Sequence, residues 1–278
     1  MEPLLCAEDV TICYNGNPVV QDVSFTLGEG EILGIVGESG SGKTTIIKAV
    51  MGLLGDSGMV TKGDIWYKGE NIVDMPRKKL RRLLGAEIGM VFQDCKDALC
   101  PVRKIGVQIY EAMREHEKIS KEEAWSRAAG LMHKIGLKDE KRVLDSYPFE
   151  LSGGMNQRVG ISMAMLLHPA LILADEPTSA LDVTVQKQVV DEMLLMRKEY
   201  NTAMILVTHN IGVVRVMADK ILVLKNGRTM EYGKSGQVLE HPQNPYTREL
   251  MGSVLHLKRQ GEEDGRNRAG SREFKESF

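Results

Sequence analysis

No apolar run in this chain approaches the ~20 residues that a bilayer-spanning helix requires; even the stretch Ile161 to Leu167 is short and carries Ser162. A membrane span is excluded on that count. The amino terminus, with Glu2, Glu8 and Asp9, lacks the basic start and continuous apolar stretch of a secretory signal, so the chain is expected to stay in the cytoplasm. Neither charge sign is in excess. With 36 Lys and Arg against 38 Asp and Glu, the net charge is -2, and no global positive field draws in nucleic acid or an anionic bilayer. Cysteine is sparse: Cys6, Cys13, Cys95 and Cys100 lie in the first half without CxxC spacing, a pattern of free, reduced thiols rather than of a metal site or disulfides. Aromatics make up only 5%. What remains, 278 residues that are 42% hydrophobic and 27% charged, is enough for one large domain or two modest ones that fold without covalent staples. Composition alone describes a soluble enzyme or binding domain.

Residues 4–27 hold β-favouring stretches, Val10 to Tyr14 and then Val19, Val20, Val23 and Phe25, separated by Asn15, Gly16, Asn17 and Pro18. This predicts a hairpin. The apolar run Ile32 to Val36 leads through a Gly-rich loop into a helical stretch from Thr44 to Val50, and further short strands are predicted at Ile65 to Tyr67, Ile88 to Phe92, Leu171 to Ala174, Met204 to Val207 and Ile221 to Leu224. Alternation of strand and helix predicts an α/β architecture with buried strands. Between about residues 94 and 160 the pattern turns to helix alone. Ser120 and Glu123 form a capping box, and Trp125, Ala128, Met132 and Ile135 fall at helical spacing, a stripe read as packing against the core. Beyond Lys258 the residues are almost wholly polar, and 259–278 is expected to be disordered.

Gly37, Glu38, Ser39, Gly40, Ser41, Gly42, Lys43 and Thr44 fit GxxxxGK[ST] between a predicted strand and a predicted helix, with Thr45 following. Glycines let successive N–H groups and the helix N-terminus converge on phosphate oxygens, Lys43 supplies a mobile cation, and Thr44 offers a hydroxyl to Mg²⁺. This is a nucleoside triphosphate loop; the alternative is a Gly-rich turn that merely links strand to helix. Leu171 to Glu176 ends a buried strand in two carboxylates, where α/β proteins place ligands. Asp175 suits Mg²⁺, and Glu176 suits an attacking water. Taken alone, such a pair is usually a helix cap or a solvated turn.

The stretch Leu151-Ser-Gly-Gly-Met-Asn-Gln157-Arg158 resembles the signature motif that separates ABC ATPases from other phosphate-loop proteins. On physical grounds Ser152, Gly153 and Gly154 make a second small anion-binding helix start, or else a plain Ser-capped helix. The resemblance, which spans about residues 4–250, implies that this second site serves the nucleotide of a partner subunit. It further implies an adenine-stacking role for Tyr14, a Q-loop glutamine at Gln93 that contacts Mg²⁺ and water, a D-loop at Ser179 to Asp182, and a switch histidine at His209. The implied fold is a P-loop NTPase core of the ABC ATPase type, with an N-terminal antiparallel β subdomain and an inserted α-helical subdomain. One ATPase domain is expected over 1–258, with the helical insertion at about 94–160 and a family segment at about 234–258.

Leu181 to Gln186, and His241-Pro-Gln-Asn-Pro-Tyr246-Thr-Arg-Glu-Leu250, resemble importer ATPases for oligopeptides, dipeptides and nickel. That likeness implies ATP and Mg²⁺ as cofactors, a second and different ATPase subunit, two permeases, an external binding protein and a place on the cytoplasmic face of the membrane. The His241 to Leu250 stretch indicates kinship without revealing a site. Asp94 to Pro101 departs from the family's pattern after the Q-loop, and no iron–sulfur cluster is expected, because no cysteine follows Cys100. Competing readings are a soluble ABC ATPase of translation or DNA repair, or a nucleotide sensor without useful turnover.

Overall fold

The computed structural model describes residues 2–179 and 181–252, so the polar tail predicted at 259–278 lies outside the described residues. The first hairpin forms as its sequence demands. Strands β1 (Leu5–Tyr14) and β2 (Asn17–Leu27) pair antiparallel with Tyr14 opposite Asn17, and the two residues between them, Asn15 and Gly16, take φ of 49° and 78°. Both values are left-handed, the twist that a two-residue hairpin turn needs and that Asn-Gly adopts readily. Next come β3 (Ile32–Val36), α1 (Lys43–Val50), β4 (Gly58–Tyr67), β5 (Glu70–Asn71), α2 (Arg77–Leu83) and β6 (Ile88–Val91). Strand β4 starts at Gly58 rather than at Ile65, because its first half pairs with β1 while leaving alternate residues exposed.

Between β6 and the next strand the described residues form only helices: α3 (Cys95–Ala98), α4 (Ile105–Arg114), α5 (Lys121–Lys134), α6 (Glu140–Asp145), a 3-10 turn (Pro148–Glu150) and α7 (Gly153–Met165). Helix α5 starts where Ser120 Oγ accepts the N–H of Glu123 at 3.1 Å. Only half of the expected capping box forms, since the Glu123 carboxylate turns instead to Arg127. Ala124, Ala128, Leu131 and Met132 are buried on the inner face of α5, while Trp125 is half-buried and donates from Nε1 to the Gly106 carbonyl at 2.8 Å. After these come β7 (Leu171–Asp175), α8 (Val183–Tyr200), β8 (Ala203–Val207), α9 (Ile211–Met217), β9 (Lys220–Lys225), β10 (Arg228–Lys234) and α10 (Ser235–Glu240), with residues 245–252 helical. Strand β10 was not legible in the sequence. It pairs antiparallel with β9 at a sheet edge, and its polar, half-exposed residues carry no apolar run.

Two sheets result, an antiparallel one in the order β2-β1-β4-β5 and a six-stranded one in the order β10-β9-β3-β8-β7-β6, parallel except at β10. The central strands are buried on both faces, and their side chains alternate between two cores. Ile172, Ala174, Met204 and Leu206 face the helical layer, while Leu171, Leu173, Ile205 and Val207 face α1 and the antiparallel sheet. Four adjacent strands, β3, β8, β7 and β6, thus end on one edge, and the candidate residues follow their carboxyl ends.

Candidate functional site

The loop after β3 turns sharply at Gly37, where φ is 152° and a Cβ would stand 2.1 Å from the Leu224 carbonyl oxygen. Only glycine fits there. Lys43 opens α1 and is just 5% exposed, with Nζ donating to the carbonyls of Gly37 and Glu38 at 2.8 Å each. An ammonium has three donors, so one stays available to an anion over the loop. Burial draws the Lys43 pKa down, and the charges of Glu176 and Asp175 oppose that shift. Ser41 is buried with an Oγ that has no hydrogen-bond partner, and Gly40 borders open space.

Thr44 Oγ1 donates to Asp175 Oδ1 at 3.0 Å, joining the start of α1 to the end of β7. Burial raises the Asp175 pKa, against the Thr44 bond and with the neighbouring Glu176 charge adding to it. Two hard oxygen donors, one of them a buried carboxylate, fit Mg²⁺, which takes few protein ligands and completes its shell with phosphate and water. Glu176 follows at φ 45°, a left-handed backbone that costs a non-glycine residue about 1–3 kcal/mol. Its N–H donates to the Val207 carbonyl at 2.8 Å, its own carbonyl accepts from Ser179, and Oε2 stands 3.0 Å from Nδ1 of His209. Strain at that point aims the carboxylate across the strand ends toward β8.

A cavity of about 620 Å³ is lined by Val19, Ser39, Gly40, Gly42, Lys43, Thr44, Thr45, Gln93, Glu176 and His209. Nine of these ten were expected from sequence, and Val19 was not. Val19 comes to the rim on β2, where its carbonyl oxygen would stand 3.2 Å from a Cβ at Gly42. No pattern in the sequence marks a hairpin valine as a wall of this cavity. Tyr14 does not line the cavity; it sits at the end of β1, with its ring edge 2.7 Å from where a Gly58 Cβ would be.

Ser152, Gly153, Gly154 and Asp182 also lie off the lining. Ser152 caps α7 by accepting the Met155 N–H at 3.3 Å, and Asn156 Nδ2 donates to the carbonyls of Pro148, Leu151 and Ser152. A side chain at Gly153 would meet nothing within 4 Å, so this helix start presents an open surface. Asp182 caps α8, accepting from Thr184 and Val185 at 3.0 Å each. Gln157 Nε2 donates to the Phe92 carbonyl, tying α7 to the segment that carries Gln93. The divergent stretch after Gln93 folds into α3, capped by Asp94, with Cys95 buried and its thiol pKa pushed up to about 12 by that burial.

Residues 20–179 match the ABC transporter family. The chain belongs to that family. As an ABC ATPase it binds ATP with Mg²⁺ and couples ATP hydrolysis to transport. The oligopeptide transport ATP-binding protein OppD of Salmonella typhimurium is 43% identical over 244 residues, covering 88% of this chain and 72% of that protein. The metal-staphylopine import system ATP-binding protein CntD of Staphylococcus aureus is 40% identical, over 87% of this chain and 89% of that one. Among solved structures, a dimeric post-hydrolysis ATP-binding cassette bound to ADP and Pi superposes with a TM-score of 0.73 at 28% identity, over 83% of this chain and 98% of its own. The expected architecture, a P-loop core of the ABC ATPase type with an antiparallel β sheet and a helical insertion, is the one this chain has.

Proposed function

We propose that this chain powers an importer of peptides or metal chelates, with Glu176 as the base for water and His209 as the group that holds it. The observation that carries this is the convergence on one cavity of Lys43, Thr44 and the Glu176–His209 pair, with Asp175 behind the lining and bonded to Thr44. A carboxylate has two acceptor oxygens, so with Oε2 held by His209 the other remains for a water proton. Lys43 and the loop N–H groups bind phosphate, and Thr44 with Asp175 would hold Mg²⁺, assisted by Gln93. When bound, that ion neutralises phosphate charge.

The helix start at Ser152, Gly153 and Gly154, open at Gly153 and packed on Val185 at Gly154, is read together with Asp182 as completing the nucleotide site of a second ATPase subunit; the dimeric form of the solved cassette supports this. Two permeases and an external binding protein complete the assembly, with the chain peripheral on the cytoplasmic face. No helix among the described residues is long and apolar enough to cross a membrane. Residues 1–258 are read as one ATPase domain, with 94–160 as its helical insertion and 234–258 as its family segment, and Tyr14 as a stacking surface for adenine. The names of the relatives favour peptide or metal-chelate cargo, whereas nickel itself rests on the sequence resemblance. Uptake by vesicles holding this chain with its co-expressed permeases tests the proposal. ATP-dependent accumulation of a peptide or a metal chelate is expected, and ATP turnover indifferent to the permeases and to both cargoes contradicts it.

A further inference from the structure

The segment His241 to Leu250 is tied to the phosphate loop. Glu231, on the edge strand β10, accepts the N–H groups of Gln243 at 2.9 Å and Asn244 at 3.1 Å. These bonds hold the Glu231 pKa low although burial works in the opposite direction. Asn244 Nδ2 donates to the Met230 carbonyl at 3.1 Å, and Asn244 Oδ1 accepts the Tyr246 N–H at 2.9 Å. Arg248 closes the turn by donating to the carbonyls of Pro242 and Gln243. Tyr246 is consequently fixed in place, 8% exposed, in a small core with Val36, Val214 and Val223, and the Lys225 ammonium lies 4.2 Å from its ring centre.

The Tyr246 hydroxyl accepts the backbone N–H of Glu38 at 3.3 Å, across a sequence separation of 208 residues. That N–H belongs to the same peptide unit as the Gly37 carbonyl, which accepts Lys43 Nζ at 2.8 Å. A peptide unit is planar, so its N–H and C=O turn together. The phenol on one side and the ammonium on the other therefore fix a single plane.

We propose that Tyr246 is a positioning residue for nucleotide binding, whose hydroxyl orients the Gly37–Glu38 peptide so that its carbonyl holds Lys43 over the phosphate loop. The inference rests on the reading of residues 37–44 as that loop. Nothing in the sequence pattern marks Tyr246 for this role, because the partners meet only when the C-terminal turn docks on the end of β3.

The test is the binding of the fluorescent nucleotide mant-ADP, with Mg²⁺, to the full chain and to Tyr246→Phe, Lys43→Ala and the double variant. Phenylalanine keeps the ring and its packing while removing the hydroxyl. Tyr246→Phe should weaken binding about three- to tenfold, the usual worth of one hydrogen bond. Because Tyr246 acts through the peptide that carries Lys43, it should add no further loss to Lys43→Ala. Wild-type affinity in Tyr246→Phe, or a full additive loss in the double variant, overturns the proposal while leaving the phosphate loop intact. Unchanged binding in Lys43→Ala instead overturns the loop reading itself. Amide hydrogen exchange is independent of whether the variant folds well: the Glu38 N–H of the wild-type chain should be protected, and exchange at the rate of a free amide refutes the contact.

Discussion

Nδ1 of His209 stands 3.0 Å from Oε2 of Glu176, one residue at the end of β8 and the other at the end of β7. The pair straddles two neighbouring parallel strands whose register is fixed by Asp175 opposite Val207, and Glu176 reaches across by taking a left-handed backbone. Sheet register and that left-handed turn together set the geometry of the proposed base.

Lys43→Ala should lower nucleotide affinity about ten- to hundredfold, the worth of a charge-assisted bond in a partly dry site. Its side chain is buried against two carbonyls, so the substitution also leaves the Gly37 and Glu38 oxygens without their donor. Fluorescent-nucleotide titration measures the first effect. Affinity equal to wild type would remove Lys43 from the phosphate site.

What could be read ahead of the structure was what is contiguous. Gly37 to Thr45 form their loop from neighbours in sequence, and the carboxylates Asp175 and Glu176 end a run of five buried residues that reads as a strand. Gln93 and His209 could be placed only through the likeness to ABC ATPases, since a polar residue after a short apolar strand marks no site by itself, and both line the cavity. Contacts made across the fold were silent. Val19 reaches the rim through a hairpin, β10 holds its place by edge pairing with little apolar content, and Tyr246 meets Glu38 only after the whole sheet is assembled. The stretch Asp94 to Pro101 looked like a departure from pattern, yet Asp94 caps its own helix and Gln108 satisfies Cys100 through both N–H and C=O.

Glu192 on α8 should make stability depend on pH. Its carboxylate is 2.8 Å from Nε of Arg158 on α7, without the alignment of a hydrogen bond, and burial outweighs that partner, raising the pKa from 4.5 to about 7 while Asp191 adds to the rise. A carboxyl whose pKa is higher in the folded state costs nothing below the unfolded value and penalises folding increasingly as pH climbs from about 4.5 through 7. Glu192→Gln removes the ionisation. The melting temperature of the variant minus that of wild type should therefore be more positive at pH 8 than at pH 5, and an equal difference at both would contradict the assignment.

Gly227→Ala should destabilise the chain by about 2–4 kcal/mol, combining a left-handed backbone with an overpacked contact. Gly227 has φ 76°, and a Cβ there would fall 2.1 Å from the Val19 carbonyl oxygen, a backbone atom that cannot swing away. Its N–H also donates to the Ser41 carbonyl at 3.0 Å, so the turn carries strain directly into the phosphate loop. Thermal melting reports the stability loss and nucleotide titration the loosening of the loop. A variant that melts with wild type would show that the turn and the hairpin separate at little cost.

Glu176→Gln separates chemistry from binding. The amide keeps the size of the side chain and its place beside His209, but it cannot take a proton from water, so hydrolysis should fall by about 10²–10⁴-fold. Lys43, Thr44 and Asp175 keep their own bonds, none of which involves the Glu176 side chain, and so affinity for ATP should survive. With binding intact and turnover lost, the ATP-bound state accumulates, and if two subunits complete each other's sites through Ser152 and Gly154, as proposed, they should remain closed as a dimer. His209→Ala supplies the comparison. It leaves the carboxylate in place but frees it from its 3.0 Å partner, so turnover should fall less steeply than in Glu176→Gln while ATP still binds. Phosphate release and sizing chromatography in Mg-ATP, on the chain co-expressed with the proposed second ATPase subunit and the permeases, read both quantities at once. Wild-type turnover in Glu176→Gln removes Glu176 as the base, whereas an inactive variant that binds ATP and never closes removes the helix start at Ser152 from the partner's site.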